Sequence, residues 1–344
     1  MRQNVLTAIL SIAILIVLYF LFFDRKETDH PLIPSQDRRM SGDVETITSP
    51  RSRTIREVPE ESITILRLDS MLVNPRDVIV QGNEIFISDP STYSIKRFKL
   101  DGRYVSSIGK GPGRGPGEFT GSSDFAVDQS SLWIVTQRRV LKYTLNGVYV
   151  SQFDVENSPY RIAKSDTALI IAGLTSWNPL RLHSISDSLL VEYGDELSEQ
   201  GGPLSIQGHI DTDESHLYYA MKYASFVYHY SPEGELKRII QTIDKLSVPS
   251  NKRETNTAGQ PVMRSPDRDT MVVDLEIDRG LIYIDTYFRT PYRHTVIDTY
   301  DLETGRYLSS ARLPTSIFRM DVVDGRVYGV KDTSIVVFDY PDSE

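Results

Sequence analysis

The sequence contains no cysteine, and this absence excludes several kinds of chemistry. Among its 344 residues, none is cysteine, two are tryptophan and six are histidine. Disulfide bonds, thiolate metal sites, cysteine nucleophiles and a lipid anchor on an N-terminal cysteine are therefore impossible. The histidines form no HExxH motif and no HxH pair, and GxSxG is absent. The sequence thus lacks the usual motifs of zinc proteases and serine hydrolases.

An excess of positive charge is also missing. The sequence has 38 lysine and arginine residues against 47 aspartate and glutamate residues, a formal net charge of -9. Proteins bind nucleic acid or an anionic lipid surface through a basic face. The composition therefore predicts no nucleic-acid partner.

One long apolar run is present, at the N-terminus. Residues Val5 to Phe23 include no charged side chain. As an α-helix rising ~1.5 Å per residue, this segment spans roughly 28 Å, close to the ~30 Å hydrocarbon core of a bilayer. A cleaved signal peptide is the alternative, but its apolar region is usually ~7–15 residues long and ends in small residues. The run predicts a transmembrane anchor over residues 5–23, preceded by a short tail over residues 1–4.

The segment behind the apolar run is polar and charged. Residues 24–60 show no apolar periodicity, which predicts a flexible tether. A large soluble domain behind one N-terminal span is usually exported. We therefore expect a membrane-anchored protein whose main domain is extracytoplasmic, in the periplasm.

A short strand with a large central residue recurs six times after residue 80. The central residues are Phe86, Trp133, Ile170, Tyr218, Tyr283 and Tyr328. They are spaced 37 to 65 residues apart, a period typical of four-stranded propeller blades, which take ~40–50 residues each. A strand precedes each of these segments, and a third strand, a tight turn and a fourth strand follow. Turns such as KLDGRY and TLNGVY favour hairpins.

The sixth unit has three strands before the chain ends. Residues 62–69, SITILRLD, precede the first unit and have no other partner. Pairing the two ends of the chain removes exposed sheet edges, as a closed ring requires. The sequence therefore predicts an all-β, six-bladed β-propeller over residues 61–341, built of four-stranded antiparallel blades and closed by an N-terminal strand, with an inserted loop at 244–270.

Residues 84–119 carry a family resemblance. The stretch EIFISDPSTYSIKRFKLDGRYVSSIGKGPGRGPGEF resembles an NHL-type repeat. It is more similar still to bacterial six-bladed β-propeller proteins that carry GKGPGEF between their first two blades. The resemblance implies the propeller fold and adds little chemistry, because most members of that family have no assigned activity. Many members look like lipoproteins, and this sequence departs from them because it has an apolar span and no cysteine.

The glycine-rich stretch from Gly109 to Phe119, GKGPGRGPGEF, has the composition of a phosphate-binding loop. However, no serine or threonine follows Lys110, and a strand follows the stretch where such a loop needs a helix N-terminus. We therefore interpret it as a crossing between blades. Its glycines allow positive φ, Glu118 accepts hydrogen bonds from loop amides, and Phe119 packs between blades.

The longer connections share one end of the predicted ring, which we call the loop-rich face. They comprise the crossings 109–119, 198–207 and 244–270 and the loops 136–139, 173–179 and 286–293. Binding residues usually lie on loops of a rigid scaffold. Candidate binding residues here are Arg114, Arg138, Arg139, Trp177, Tyr223, Arg289, Tyr292 and Arg293. They predict a binding or scaffold module for a protein, peptide or saccharide at the cell envelope, without a cofactor. The structural alternative is that these side chains have no binding role. The aromatic ones would then pack between blades, and the arginines would be solvated.

An enzyme is the alternative function. Some six-bladed propellers that resemble gluconolactonases hold a divalent metal in the central channel. Carboxylates expected near the channel are Asp77, Asp89, Asp128, Asp211, Asp213 and Asp285. Oxygen ligands suit Ca²⁺ or Mg²⁺, and Asp89 and Asp285 are the candidate ligands of a metal-dependent hydrolase or lyase. The positions equivalent to Asp89 in other blades include Thr136, Gly173 and Lys331, so no acidic ring is predicted and binding is favoured over catalysis.

Overall fold

The computed structural model describes most of the chain after residue 43. The described residues are 44–68, 71–122, 124–156, 158–174, 179–185, 188–213, 216–249, 252–255, 261–264, 272–287 and 295–341. Within these ranges, no helix is long and apolar enough to cross a membrane. The predicted anchor at 5–23 and residues 24–43 of the predicted tether lie outside them.

The predicted propeller is confirmed, and its blades follow one another along the chain. Each blade is an antiparallel sheet whose strands pair in sequence order. The strands of blade 1 are Asp77–Gln81, Glu84–Asp89, Ser94–Lys99 and Tyr104–Ile108; those of blade 2 are Asp124–Val127, Ser131–Val135, Arg139–Thr144 and Tyr149–Asp154; those of blade 3 are Pro159–Lys164, Ala168–Gly173, Leu180–Ser184 and Leu189–Tyr193. The first strands of consecutive blades contact one another around the ring, so they form the wall of the central channel.

Blades 4 to 6 complete the ring. Blade 4 contains Gly208–Asp213, His216–Met221, Phe226–Tyr230 and Leu236–Gln241; blade 5 contains Val272–Asp278, Leu281–Tyr287, Thr295–Asp301 and Tyr307–Arg312; blade 6 contains Met320–Val323, Arg326–Lys331 and Ser334–Asp339. The fourth strand of blade 6 is Thr64–Arg67, which pairs antiparallel with Ser334–Asp339 and places Leu66 opposite Ile335. The predicted closure of the ring by an N-terminal strand is therefore confirmed.

Residues 44–60 differ from the predicted flexible tether. Glu45–Thr48 pairs in parallel with the outer strand of blade 4, and Ile55–Glu57 pairs in parallel with the outer strand of blade 5. Between these two strands, the Arg53 guanidinium lies 2.7 Å from Asp244 and 2.8 Å from Asp298. Backbone hydrogen bonds and this buried charge cluster hold the segment in place. Neither requires an apolar pattern in the sequence, so a polar segment can be ordered here.

The connections contain small elements of their own. The inserted segment at 244–270 includes a two-stranded hairpin, Lys252–Thr255 with Pro261–Arg264. The crossing into blade 4 carries a short helix, Asp195–Gln200, and single 3₁₀ turns occur at Glu60–Ser62 and Pro90–Thr92. All the longer crossings leave from the same end of the ring, the loop-rich face.

The glycine-rich crossing forms the predicted compact turn. Lys110 N–H donates to the Gly117 carbonyl at 3.0 Å, and Gly115 N–H donates to Glu118 Oε2 at 2.9 Å. Gly109 has φ +126, and a Cβ there would lie 2.8 Å from the Tyr93 carbonyl oxygen, so only glycine fits. Phe119 is fully buried in the apolar cluster shared by blades 1 and 2. The predicted roles of Glu118 and Phe119 are confirmed.

Candidate functional site

Six polar side chains, one from each blade, line the channel at the loop-rich face. This charged ring consists of Asp77, Asp124, Arg161, His209, Asp274 and Arg319. Its members lie within the first three residues of the first strands or directly before them, opposite the ends of the second strands. Asp77, for example, pairs with Ser88, and His209 pairs with Ala220. Because the second-to-third-strand loops leave from those ends, the charged ring surrounds the channel mouth on that face.

A second layer of side chains lines the channel below the charged ring. Each of its members is two residues further along a first strand, because alternate residues of a strand point to the same face. It consists of Ile79, Ala126, Ala163, Asp211, Glu276 and Asp321. The first three belong to blades 1 to 3 and are apolar, whereas the three carboxyls belong to blades 4 to 6. The two layers enclose a cavity of about 160 Å³, several times the ~30 Å³ that one water molecule takes in the liquid.

Most of the channel carboxylates link neighbouring blades. Each accepts a hydrogen bond from a backbone N–H on the first strand of the next blade. The pairs are Asp124 with Ile162 at 2.9 Å, Asp211 with Ile277 at 2.7 Å, Asp274 with Met320 at 2.9 Å, and Asp321 with Val80. The last pair connects blade 6 to blade 1. These carboxylates therefore have a structural role at the junctions between blades.

A charged triad occupies one side of the ring. Arg319 Nη1 donates to Asp274 Oδ1 at 2.5 Å and contacts His209 Nδ1 at 2.6 Å. Burial alone would raise the pKa of Asp274, but the Arg319 guanidinium and His209 lower it to about 2. Burial and the nearby Arg319 and Arg161 charges lower the pKa of His209 well below its ordinary value. At neutral pH the triad is thus an ion pair with a neutral imidazole.

Two N–H donors of the ring have no hydrogen-bond partner among the described residues: His209 Nε2 and Arg161 Nε, both buried. The histidine is 3% exposed, whereas Arg161 is half-buried as a whole and donates from Nη1 to the Tyr160 carbonyl at 2.8 Å. Arg161 has no carboxylate within ion-pair distance in the described part of the chain. Burying a polar group without a partner is unfavourable, so these donors are the chemically unsatisfied part of the channel.

Four carboxyls of the channel have a pKa above their ordinary range. Burial raises the pKa of Asp211 to about 8 and that of Asp321 to about 7, although backbone hydrogen bonds oppose both shifts. Burial and neighbouring carboxyls raise the pKa of Glu276 well above its usual value. Burial also raises the pKa of Asp77; Arg319 opposes the shift and the adjacent Asp124 adds to it. At neutral pH the channel is therefore less negative than its formal charges indicate.

An apolar rim lies beside the ring. Phe318, the residue before Arg319, is 47% exposed, and Val73, in the crossing into blade 1, is 64% exposed. The Arg76 guanidinium lies 5.4 Å from the centre of the Phe318 ring. Both apolar residues belong to crossings of the loop-rich face, and neither is among the residues that line the cavity.

The predicted binding residues are distributed differently. Arg114 and Arg138 are exposed on the loop-rich face. Arg139 is half-buried and donates to the carbonyls of Arg114 and Glu118, so it supports the glycine-rich crossing. Tyr223 is 7% exposed and lies under Lys222. The other four predicted residues, Trp177, Arg289, Tyr292 and Arg293, lie outside the described residues.

The candidate metal ligands lie on second strands of different blades. Asp89, in blade 1, is buried and accepts hydrogen bonds from the amides of Val73 and Asn74 at 2.8 and 3.2 Å. Asp285, in blade 5, is buried, and both its carboxyl oxygens lack a partner among the described residues. In the described ranges, no group of three or more aspartate, glutamate or histidine side chains is arranged to hold a metal ion. Use of Ca²⁺ or Mg²⁺ stays a prediction.

The remaining carboxylates of the predicted set divide between the two ends of the channel. Asp77 and Asp211 line it, as expected. Asp128 accepts hydrogen bonds from Ser130 N–H and Ser131 N–H, and Asp213 accepts one from His216 N–H. Both of these aspartates cap turns after first strands, which is the common role of aspartate there.

Sequence reasoning missed Asp124, Arg161, His209, Asp274, Glu276, Arg319 and Asp321. A signal for them exists. Each first strand has one buried apolar residue at the same register, and the ring residue directly precedes it. These apolar residues are Val78, Phe125, Ile162, Ile210, Leu275 and Met320. Aligning the six blades on these apolar residues would place the ring residues in one column of the alignment. A search for one residue type does not find that column, because it contains both acidic and basic residues.

Comparisons with known proteins agree with this architecture. The sequence pattern of a family described as a 6-bladed beta-propeller matches residues 67–272, more than half of the chain. No curated protein matches the sequence. Among solved structures, a Bacteroides fragilis protein described as exported is 14% identical, with a TM-score of 0.54 over 86% of this chain and 99% of that one. The resemblance of residues 84–119 to an NHL-type repeat stays a prediction.

Two further structures are similar at the same level. Virginiamycin B lyase from Staphylococcus aureus is 12% identical, with a TM-score of 0.52 over 81% of this chain and 99% of the lyase. The WD40 domain of Neurospora crassa Pan2 is 10% identical, with a TM-score of 0.52 over 84% of this chain and 98% of the domain. At such identities, the likeness shows the fold alone.

Proposed function

This chain belongs to the family of six-bladed β-propellers, and we propose that it binds a small polar ligand at the mouth of its channel on the loop-rich face. The observation that carries the proposal is the charged ring, to which every blade contributes one polar side chain around a cavity of about 160 Å³. A concave site with a few convergent polar groups is the usual form of a small-molecule site.

The charged ring is unfavourable for stability unless its groups find partners. Buried polar groups and charges destabilise a fold when they are unpaired. Four of the six channel carboxyls are paired with backbone amides of the next blade, whereas Arg161 Nε and His209 Nε2 lack partners within the described ranges. Arg161 and His209 also line the cavity, so a polar ligand there would add hydrogen-bond partners to this part of the ring. The exposed Phe318 and Val73 side chains add apolar contacts at the entrance.

The same proposal places the propeller outside the cytoplasm, held at the membrane by residues 5–23. It is supported by the uncharged run of the N-terminal sequence and by the similar fold of a Bacteroides fragilis protein described as exported. A saccharide, a peptide or another small solute of the cell envelope would then be the ligand. The exposed Arg114 and Arg138 extend the binding face beyond the channel.

A thermal-shift panel on the full chain in detergent tests the proposal. The panel contains monosaccharides, amino acids, short peptides, carboxylic acids, Ca²⁺ and Mg²⁺. A ligand at a hundredfold excess over its Kd stabilises the folded state by about 2.7 kcal/mol, so at least one compound is expected to raise Tm. Arg161→Gln should abolish that rise. Arg306→Gln, which removes an exposed arginine from a tight turn at the opposite face of the ring, should retain it.

Two outcomes would contradict the proposal. One is that no compound raises the Tm of the wild-type chain. The other is that a compound raises Tm equally in the wild type and in Arg161→Gln, because the binding site would then lie elsewhere. Stabilisation by Ca²⁺ or Mg²⁺ alone would instead favour the metal-dependent alternative, with a site other than the charged ring.

A further inference from the structure

The outer strands of blades 4 and 5 each pair with an extra strand, whereas the outer strand of blade 2 does not. Glu45–Thr48 lies parallel to the outer strand of blade 4, and Ile55–Glu57 lies parallel to that of blade 5. Tyr149–Asp154, the outer strand of blade 2, ends its sheet with one edge unpaired in the described part of the chain. This edge lies on the outer circumference of the ring, so what it binds is independent of the channel.

Blades 2 and 5 have equivalent outer edges. In both sheets, the ladder between the third and fourth strands contains one irregularity, next to Tyr143 in blade 2 and next to Tyr300 in blade 5. The last residue of the outer strand is Asp154 in blade 2 and Arg312 in blade 5. The backbone of blade 2 therefore offers the same donors and acceptors that hold the extra strand of blade 5.

The extra strand of blade 5 is held by backbone hydrogen bonds and by an ion pair. Ser310 N–H donates to the Thr54 carbonyl at 2.9 Å. Val58 N–H donates to the Arg312 carbonyl, also at 2.9 Å. The Arg312 guanidinium donates from Nε to Glu57 at 2.9 Å. When a strand adds to a sheet edge, main-chain hydrogen bonds supply the affinity and side chains supply the specificity.

Blade 2 presents an acid where blades 4 and 5 present a base. On blade 4, Arg238 of the outer strand lies 3.8 Å from Glu45 of the extra strand. On blade 5, Arg312 pairs with Glu57 in the same way. At the equivalent end of the blade 2 edge, the exposed residue is Asp154. The charge that selects the extra strand is therefore reversed on blade 2.

The Asp154 carboxylate has no cation partner among the described residues. The residue opposite it on the third strand is Arg139, but that guanidinium donates to the carbonyls of Arg114 and Glu118. No ion pair of the described ranges includes Asp154 or the exposed Glu156. The end of this edge thus carries two acids that a basic side chain can pair with.

The other end of the edge lacks the charges that usually keep strands apart. Val148 and Val150 are 62% and 51% exposed. At the position of Val148, the equivalent turns of blades 1, 4 and 5 hold Arg103, Glu235 and Arg306. Exposed sheet edges usually carry charged side chains that prevent pairing with another chain. The blade 2 edge is therefore open to a further strand.

We propose that the outer edge of blade 2 binds an extended segment of a partner protein as a fifth strand, parallel to Tyr149–Asp154. A lysine or arginine of that segment lies beside Asp154, so the geometry of Ile55–Glu57 on blade 5 is repeated with the charges exchanged. A second copy of this chain fits less well, because pairing two such edges brings Asp154 and Glu156 of one copy close to those of the other.

Disulfide trapping on the full chain in detergent tests the proposal, because the chain has no cysteine of its own. Gln152→Cys places a thiol on the edge. Gln152 lies two residues before Asp154, as Ser310 lies two residues before Arg312, and Ser310 pairs with Ile55 of the extra strand. A peptide that adds in the same way therefore brings its own position 55 opposite this thiol.

Two peptides serve as probes. The parent peptide has the sequence of residues 52–59 with Ile55→Cys. The reversed peptide carries Arg56→Glu and Glu57→Arg in addition, so the two have the same composition and net charge and differ only in which of the two positions holds the base. At equilibrium in a 2-mercaptoethanol buffer, the reversed peptide should form about two- to fivefold more mixed disulfide with Gln152→Cys, which is the size expected of an exposed ion pair.

Two changes check the charge and the backbone separately. Asp154→Arg, combined with Gln152→Cys, should make the parent peptide the better probe, because the edge then matches that of blade 5. Val58→Pro in the reversed peptide should reduce trapping, because it removes the N–H that donates to the Arg312 carbonyl in blade 5. Asn83→Cys is the matched control. Asn83 is exposed in a turn of blade 1 and belongs to no strand edge, so both peptides should be trapped equally and weakly there.

Four outcomes would overturn the proposal. Three of them are equal trapping of the two peptides at Gln152→Cys, an unchanged preference in Asp154→Arg, and undiminished trapping of the peptide with Val58→Pro. The fourth is a disulfide-linked dimer of Gln152→Cys that forms without peptide and exceeds the dimer of Asn83→Cys, because the occupant of the edge would then be a second copy of this chain.

Discussion

Replacing Asp321 by asparagine should flatten the pH dependence of stability between pH 5 and pH 7. Burial raises the pKa of Asp321 from 3.8 to about 7 in the folded chain. The unfolded chain releases this proton near pH 4, so the folded state holds more protons between these values. Stability therefore falls as pH rises through this window. The contribution is fully present below pH 4 and is lost once pH exceeds about 7.

The magnitude follows from the pKa difference. One pKa unit corresponds to ~1.36 kcal/mol, so Asp321 accounts for a loss of about 2–3 kcal/mol in the free energy of unfolding between pH 5 and pH 7. Asparagine does not titrate, and its side-chain oxygen can still accept the Val80 N–H that now donates to Asp321. The substitution also removes a negative charge near Asp211. Because Asp321 helps to raise the pKa of Asp211, that pKa should fall in the variant.

Urea unfolding of the full chain at pH 5, 6 and 7 measures this effect. The wild-type chain should lose stability across the series, and Asp321→Asn should lose about 2–3 kcal/mol less. Asp166→Asn, at an exposed aspartate outside the charged ring, is the control and should follow the wild type. Parallel slopes for the wild type and Asp321→Asn would refute the reasoning, because Asp321 would then ionise without a cost in stability.

Three further substitutions test the packing by urea unfolding. Phe119→Ala should destabilise the fold by about 3–5 kcal/mol, because it leaves a cavity between blades 1 and 2; a loss below about 1 kcal/mol would contradict that packing. Arg53→Met should lower the free energy of unfolding by about 3–5 kcal/mol, because it leaves Asp298 buried without its cation. The double variant Arg53→Met with Asp298→Asn should recover most of this loss. Gly109→Ala should destabilise through its clash with Tyr93, whereas Gly111→Ala, where a Cβ meets nothing within 4 Å, should cost less.

The blades could be predicted from the sequence because their signals are local. Every blade except blade 3 has a tight turn with glycine at positive φ, such as Gly102 and Gly147, and each blade places a large residue at the centre of its second strand. Ring closure was also predictable, because Thr64–Arg67 was the one segment left to complete blade 6. These features depend on short-range turn chemistry and on the count of strands.

The ordered part of the tether could not be predicted in the same way. Arg53 contacts carboxylates at positions 244 and 298, and the two short strands beside it pair through backbone groups that leave no side-chain pattern. Side chains of Glu45–Thr48 are largely exposed, so the segment looks like a solvated linker in sequence. Its order depends on the outer strands of blades 4 and 5, which only the folded ring supplies.

The charged ring was missed for a related reason. Its positions are equivalent in the fold, yet they hold three acids, two arginines and a histidine, because each blade meets a different neighbour. The prediction looked for one residue type after the second strands, where Asp89 supports the local loop. Equivalent residues of opposite charge form ion pairs between neighbouring blades, as Asp274 and Arg319 do, and such pairs leave no uniform repeat.

The most direct test of the central claim is a crystal structure of the chain grown with the panel compound that raises Tm most. Our account predicts that the compound lies in the channel mouth, with a polar atom within hydrogen-bond distance of a side chain of the charged ring. A compound bound at the outer strands, on the tight-turn face of the ring, or at Arg114 and Arg138 without entering the channel would contradict it.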